Sequence, residues 1–443
     1  MATTVVARSE LSATASPPRP TTLLPLSHLL RISAYWLGLT AIDSAVGLFA
    51  QDRVGFGGQV DELMQGRALF LVTVGAAVVS IIIQPTVGYL SDYTASRWGR
   101  RKPYIVFGSL LDLAFLFGIA TSQSLIALAA FMLLLSVSTN IARGPFQGYV
   151  PDLVAERQVG LASALVGLMQ VIGNVIGFAL VALAGTALIN DLPLAIAAVA
   201  IVELITMTSV VLRVGPGLPA RDRGGRSWLE IAREAWATDI LRERSYVFLV
   251  ASRLFFLVGG GIMVNEVVLY LKQVHGLDQS AASGVFLAML GIVTVASLAT
   301  VVPSARISDR IGRKPVIYAA CAFGGIGVAL AGLAPGIPVA LLGGALFGAA
   351  SGTFLAVDWA LMTDIIPRAS AGRYMGLSNV ATGSSTPISI ALGGLLIDAV
   401  NTAAGGVGPG PRVAYLAGAA LYIVAAILLR QVREPPRARA AAA

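Results

Sequence analysis

The chain is short of charge, cysteine and histidine. Only 12% of its 443 residues are Asp, Glu, Lys or Arg, where a soluble globular domain carries about 25%. With 56% hydrophobic residues and a mean hydropathy of +0.80, a water-facing fold is excluded, because no aqueous surface can hide so much apolar side chain; the solvent is lipid. Cys321 is the single cysteine, so no disulfide closes within the chain, and in its apolar run it reads as packing. Two histidines and one cysteine leave no Cys/His metal spacing, and no Gly-Lys-Ser/Thr run is present to cradle phosphate. No metal, cofactor or catalytic residue is expected, and an enzyme is the least favoured class.

What the chain has instead is long apolar runs. Twelve stand out, over 27–50, 68–91, 103–122, 125–150, 158–185, 192–212, 246–271, 281–304, 315–333, 337–364, 373–398 and 412–430. Each is near the length of about 20 residues that a helix needs to cross the hydrocarbon. The net charge of +8 could suggest a nucleic-acid partner, but its distribution points to a membrane. Under the twelve-span reading, roughly 25 of the 31 Lys and Arg fall on one side, in the two tails, the middle loop and two short hairpins. Both termini are therefore expected in the cytoplasm, with an even number of spans in the cytoplasmic membrane. Residues 1–26, rich in Pro, Ser and Thr, read as a disordered cytoplasmic tail and not a signal peptide, since they hold no short hydrophobic core, and 431–443 read as a second cytoplasmic tail.

The two hairpins resemble each other. Gly88–Val106 reads GYLSDYTASRWGRRKPYIV and Ser304–Tyr318 reads SARISDRIGRKPVIY. Each sets an Asp, then Gly-Arg-basic-Pro, between two apolar runs. Pro103 and Pro315 are 212 residues apart, and so are Asp152 and Asp364, which close equivalent runs. A shared offset implies a parallel repeat of six spans about an axis along the membrane normal. The halves are expected at 27–212 and 246–430, joined by a basic linker over 213–245. Within that linker, SWLEIAREAWATDIL has a spacing that suits a tethering or membrane-surface helix.

The doubled Gly-x-x-x-Asp…Gly-Arg-basic-Pro pattern resembles the loop signature of the major facilitator superfamily. The longer first version, with ARGPFQGYVPDL over Ala142–Leu153 and the following GLMQVIGNVIG, is similar to the glycoside-pentoside-hexuronide:cation symporter branch, which includes sucrose carriers. Ser136 stands where those carriers have an acidic residue, Gln147 where they have a basic one, and Arg143 where they usually have an uncharged polar one. The resemblance implies an all-α fold of twelve transmembrane helices in two six-helix bundles, with spans 1, 4, 7 and 10 lining a central cavity. It also implies that Gly88, Asp92, Arg100 and Arg101, with Asp309, Gly312 and Arg313, form a cytoplasmic gate between the halves. Topology alone accounts for part of the arginine content but not for the aspartates, since acidic residues contribute little to orientation.

A charge at mid-bilayer costs at least about 2.5–3.5 kcal/mol, so each one needs a partner, water or a task. Asp43, Arg143, Arg253, Glu266 and Asp358 all fall on the cavity-lining spans. Counting helical rise puts Asp43 and Glu266 in the outer half and Arg143, Arg253 and Asp358 in the inner half. On that count Arg253 pairs with Asp358, and Asp43 lies too far above Arg143 for a direct bond. Asp43 is the first candidate to carry a coupling proton, and Glu266, near the water boundary, the second. Arg143, Arg253 and Asp358 would bind solute, with Trp359 as a sugar-stacking face. Tyr35 and Tyr270 read as interface anchors. Asp112 and Glu203, on peripheral spans, would bond small polar neighbours and have no assigned function. Span 2 has no acidic residue between Gly66 and Ser91, where sodium-coupled relatives carry their ligands, so the expectation is coupling to protons, or no coupling ion at all.

The expected function is secondary active transport, by alternating access and proton symport, of a small polar solute, a sugar or glycoside first. The alternatives are a proton-driven efflux antiporter for drugs or metabolites and, less favoured, a receptor or scaffold without transport. The expected partners are the solute and the bilayer, with the chain a monomer and no nucleic acid bound.

Overall fold

The computed structural model describes residues 21–155, 158–184, 191–234, 243–365 and 371–433. The side chains of Asp309, Trp359 and Asp364 lie outside what is described. Among the described residues, twelve helices are long and apolar enough to cross a membrane. We number them spans 1 to 12: Leu26–Phe56, Glu62–Ser91, Lys102–Thr121, Leu125–Phe146, Leu165–Ala184, Leu192–Arg213, Arg244–Asn265, Gln279–Ser308, Arg313–Gly332, Ile337–Asp358, Ala381–Ala404 and Pro409–Leu429. The described residues contain no strand, as expected where backbone groups must be satisfied within each segment.

Local chemistry starts the helices where the sequence changes character. Ser124, Asp191 and Asp278 cap spans 4, 6 and 8 by accepting from Ala127 N (3.2 Å), Leu194 N (3.0 Å) and Ala281 N (2.8 Å). Proline stands in the first turn of spans 3, 6 and 12, where its missing N–H costs nothing. The two hairpins turn at Gly99 (φ +92°) and Gly312 (φ +102°), a backbone region open to glycine. This is the physical content of the duplicated Gly-Arg-basic-Pro.

Packing repeats as the motif does. Span 2 lies on 4, span 1 on 5 and 6, span 3 on 4 and 6, and span 5 on 6. Adding six to every number gives the pairings of the other half: 8 on 10, 7 on 11 and 12, 9 on 10 and 12, 11 on 12. Between the halves, span 2 meets span 11 and span 5 meets span 8, and the same operation exchanges these two contacts. The linker contributes a short helix, Trp228–Glu234, which packs on span 2 and buries Ile231.

Two sequence expectations are corrected here. The seventh run does not continue straight to residue 271: it breaks at Glu266 and resumes as a short helix, Val267–His275. Tyr35 and Tyr270 are not interface anchors. Both are fully buried, Tyr35 against Ser109 and Glu203 and Tyr270 stacked on Tyr415 with its hydroxyl donating to Ala331 O (2.7 Å). A phenol near a helix end goes inward when its hydroxyl finds a partner there.

Candidate functional site

Asp43 and Arg143 form an ion pair, Arg143 Nη2 to Asp43 Oδ2 at 2.6 Å. The expected separation in depth was wrong. Side chains on a helix lean toward its N-terminus. Span 1 and span 4 run in opposite directions, so Asp43 leans toward Arg143 and Arg143, with its long stem, leans back. The Asp43 side chain is 49% exposed and that of Arg143 16%. Span 1 has 72% of its apolar window buried inside the protein, so the exposure of Asp43 marks a gap within the fold. Around the pair, Ser44 Oγ donates to Asn174 Oδ1 (2.7 Å) and Thr40 Oγ1 to Gln170 O (3.2 Å), so span 5 adds a polar rim that sequence reasoning missed. Its one signal was an Asn inside the apolar run GLMQVIGNVIG. Arg143 Nε is buried and has no hydrogen-bond partner among the described residues.

The other half carries a second pair, Arg253 Nη1 to Asp358 Oδ2 at 3.2 Å. Arg253 also donates to Ser378 Oγ on the helix of span 11 at 3.0 Å. Adding six to spans 1 and 4 gives spans 7 and 10, so the two pairs lie on equivalent spans, within about a turn of equivalent positions, with the signs exchanged: acid then base in one half, base then acid in the other. They differ in access, because Arg253 and Asp358 are both buried. The single inner cluster expected from sequence is thus two pairs, one in each half, and only the first faces open space.

In the first hairpin, Asp92 contacts Arg101 Nη2 at 3.1 Å and Arg100 Nη1 at 3.4 Å. The tighter partner is Asp152, missed as a site residue. Arg100 Nη2 donates to both its oxygens (2.8 and 2.7 Å) and Arg101 Nε to Oδ2 (2.7 Å), while Arg101 Nη1 donates to Pro145 O (2.8 Å). All of these residues belong to the N-terminal half. The cluster therefore ties the hairpin to the end of span 4, and the latch between halves that the resemblance implies is not formed by it here. Gly88 and Gly144 let spans 2 and 4 approach closely, since a Cβ on Gly88 would sit 3.2 Å from Gly144 O. In the second hairpin Arg313 Nη1 donates to Ser308 Oγ at 2.6 Å. Removing one partner of a buried ion network costs about 3–5 kcal/mol. Asp152→Ala is therefore expected to lower the thermal unfolding temperature of the purified protein more than Asp92→Ala, whose carboxylate is looser and more exposed (17% against 6%). An equal loss from both variants would contradict this ranking.

Polar contacts between the halves gather at the face opposite the termini. Asp398, at the end of span 11, accepts from Gly66 N (2.9 Å) and Arg67 N (2.5 Å) at the start of span 2. Gln273 Nε2 donates to Gln65 Oε1 (3.1 Å), Lys272 Nζ to Gly55 O (2.6 Å) and Gln279 Nε2 to Asp52 Oδ2 (2.8 Å). Glu266 is not at the water boundary: it is fully buried, against Gly393, and neither carboxyl oxygen has a partner among the described residues.

The family model for MFS/sugar transport proteins matches residues 64–431. The chain belongs to that family. Sucrose transport protein SUC3 of Arabidopsis thaliana is 28% identical over 124 residues, 23% of this chain and 21% of that protein. SUC4 of the same plant is 31% identical over 117 residues, 22% of this chain and 23% of that one. The matched segments thus span under a quarter of these relatives' length. Among solved structures, the nucleoside transporter NupG superposes with a TM-score of 0.67 at 16% identity, covering 92% of this chain and all of that one. The xylose transporter XylE from E. coli gives 0.65 at 18%, covering 92% and 99%. At such identities the likeness shows the fold: this family member has the twelve-helix, two-bundle arrangement expected from its repeat.

Proposed function

We propose that this chain is a secondary active transporter that carries a small polar solute, a sugar or glycoside, by alternating access in symport with protons. One observation supports this above the others: an ion pair between spans 1 and 4, half open to a gap inside a fold whose halves meet at the opposite face. A charge pair within the membrane-spanning bundle, with its carboxylate left accessible, marks a solute path. Arg143 Nε is a spare donor for a solute hydroxyl. A proton on Asp43 removes the carboxylate that holds Arg143 and frees the whole guanidinium for the solute. When the proton leaves, the pair re-forms and competes the solute away. The Lys and Arg of the tails, linker and hairpins support a terminus face in the cytoplasm; on that reading the conformation is inward-facing, the membrane is the cell membrane and the chain works as a monomer. The hairpin residues Asp92, Arg100, Arg101, Asp309 and Arg313 lie where the halves would meet once the far face opens.

Uptake into reconstituted vesicles with a panel of labelled sugars, with and without an imposed pH gradient, tests this reading. Accumulation of a sugar that collapses with a protonophore supports it. Gradient-driven extrusion of an amphiphilic dye with no sugar uptake would make the protein an antiporter instead.

A further inference from the structure

Behind the Asp43–Arg143 pair lies a second pair of carboxyls that the transport reading does not use. Asp112 of span 3 and Glu203 of span 6 are both fully buried. Asp112 Oδ1 accepts from Ser138 Oγ and from Thr139 Oγ1 (2.9 Å), both on span 4. Glu203 Oε1 accepts from Tyr35 OH of span 1 (3.3 Å), whose hydroxyl also bonds Ser109 Oγ of span 3 (2.5 Å). The remaining oxygens, Asp112 Oδ2 and Glu203 Oε2, are buried without any donor, and the two carboxyls are neighbours: Tyr35 OH joins Glu203 to Ser109, which stands one turn before Asp112 on span 3. Spans 1 and 6 pack closely beside the pair: a Cβ on Gly38 of span 1 would come within 2.9 Å of Glu203 Cα. The groups facing the pair are Tyr35 from span 1, Arg143 from span 4, acting on Asp112, and none from span 5, whose 165–184 segment has no titratable residue.

Two carboxylates cannot hydrogen-bond each other without a proton between them, and neither can stay charged and unpaired in such a place. We propose that Asp112 and Glu203 form a second proton-binding site, one that holds a single proton and senses whether Arg143 is engaged by Asp43. Both carboxyls have hydroxyl neighbours, Ser138 and Thr139 for Asp112 and Tyr35 and Ser109 for Glu203, but only Asp112 also feels the charge of Arg143. The proton therefore rests on Glu203 and is donated to Asp112. The site is wired to both helices of the open pair, since Thr139 is one turn from Arg143 and Tyr35 two turns from Asp43. If Arg143 is released, its charge acts on Asp112 unopposed, which keeps Asp112 ionised and localises the shared proton on Glu203.

Infrared spectroscopy of the full-length protein in lipid vesicles tests this, and only the link to Asp43 rests on the transport reading. At neutral pH the wild type should show the carbonyl stretch of a buried protonated carboxyl, slow to exchange in heavy water. In a Glu266→Gln background, which removes the other buried carboxyl without a partner, Glu203→Gln should abolish that band, while Asp112→Asn and Asp43→Asn should each keep and shift it. Should Glu203→Gln fail to fold, carboxyl-labelled glutamate in a Glu266→Gln background should shift the band without touching the dyad. No protonated band, or one indifferent to both Glu203→Gln and the label, would overturn the proposal even if proton-driven uptake were demonstrated. Loss of uptake with the band intact would overturn the transport reading alone.

Discussion

Gly394→Val is expected to hold the far face open. Gly394 of span 11 and Gly66 of span 2 touch backbone to backbone, and a Cβ on either would run into the other's carbonyl oxygen. No side-chain rotation relieves such a clash; the helices must part. One turn further on, Asp398 takes two N–H groups at the positive end of span 2. Charge-assisted hydrogen bonds of this kind contribute about 1.5–3 kcal/mol each, and the helix dipole adds to them. Separating spans 2 and 11 removes both bonds, and a loss of about 3 kcal/mol shifts a two-state equilibrium by more than 100-fold. Spin labels at Gln59 and Ala404, exposed on the two sides of this face, should report one short distance in the unaltered protein and a longer one in Gly394→Val. An unchanged distance in a folded variant would show that this glycine contact does not govern closure.

Asp43→Asn is the second change with a large expected effect, and it acts on coupling rather than stability. The amide copies a protonated aspartate in shape but cannot gain or lose charge. Asp43 is half exposed and Arg143 much less so, so the cost to folding is about 1–3 kcal/mol, for a guanidinium that loses one partner but keeps some access to water. A pH gradient of one unit stores about 1.4 kcal/mol, enough for tenfold accumulation of a solute moved with one proton. Without a titrating group at residue 43 that energy has no handle on the solute, and accumulation falls to equality across the membrane while exchange continues.

Much of the fold was legible because lipid writes simple rules. Twelve apolar runs, a basic face and a 212-residue offset between Pro103 and Pro315 gave the architecture, and the contacts between helices repeat it. The Arg253–Asp358 pair followed from span direction and rise alone. Asp43 was misplaced because Cα height ignores the lean of side chains, which brings groups on antiparallel helices together. Asp152 was noticed only as a repeat landmark, since nothing in VPDLVAERQVG shows that its carboxylate turns back onto Arg100 and Arg101. Asp398 was invisible for a different reason: its partners are backbone N–H groups of a helix more than 300 residues away, and backbone carries no sequence signature. Glu266 was read as a position in a continuous helix, whereas the helix breaks there and its side chain lies against Gly393.

The central claim, that the Asp43–Arg143 pair links proton movement to solute movement, is tested most directly by comparing net uptake with exchange in vesicles bearing Asp43→Asn. The account predicts that an inward proton gradient no longer concentrates solute, while labelled solute still exchanges against unlabelled solute trapped inside. Uphill accumulation by Asp43→Asn at the wild-type level would contradict it.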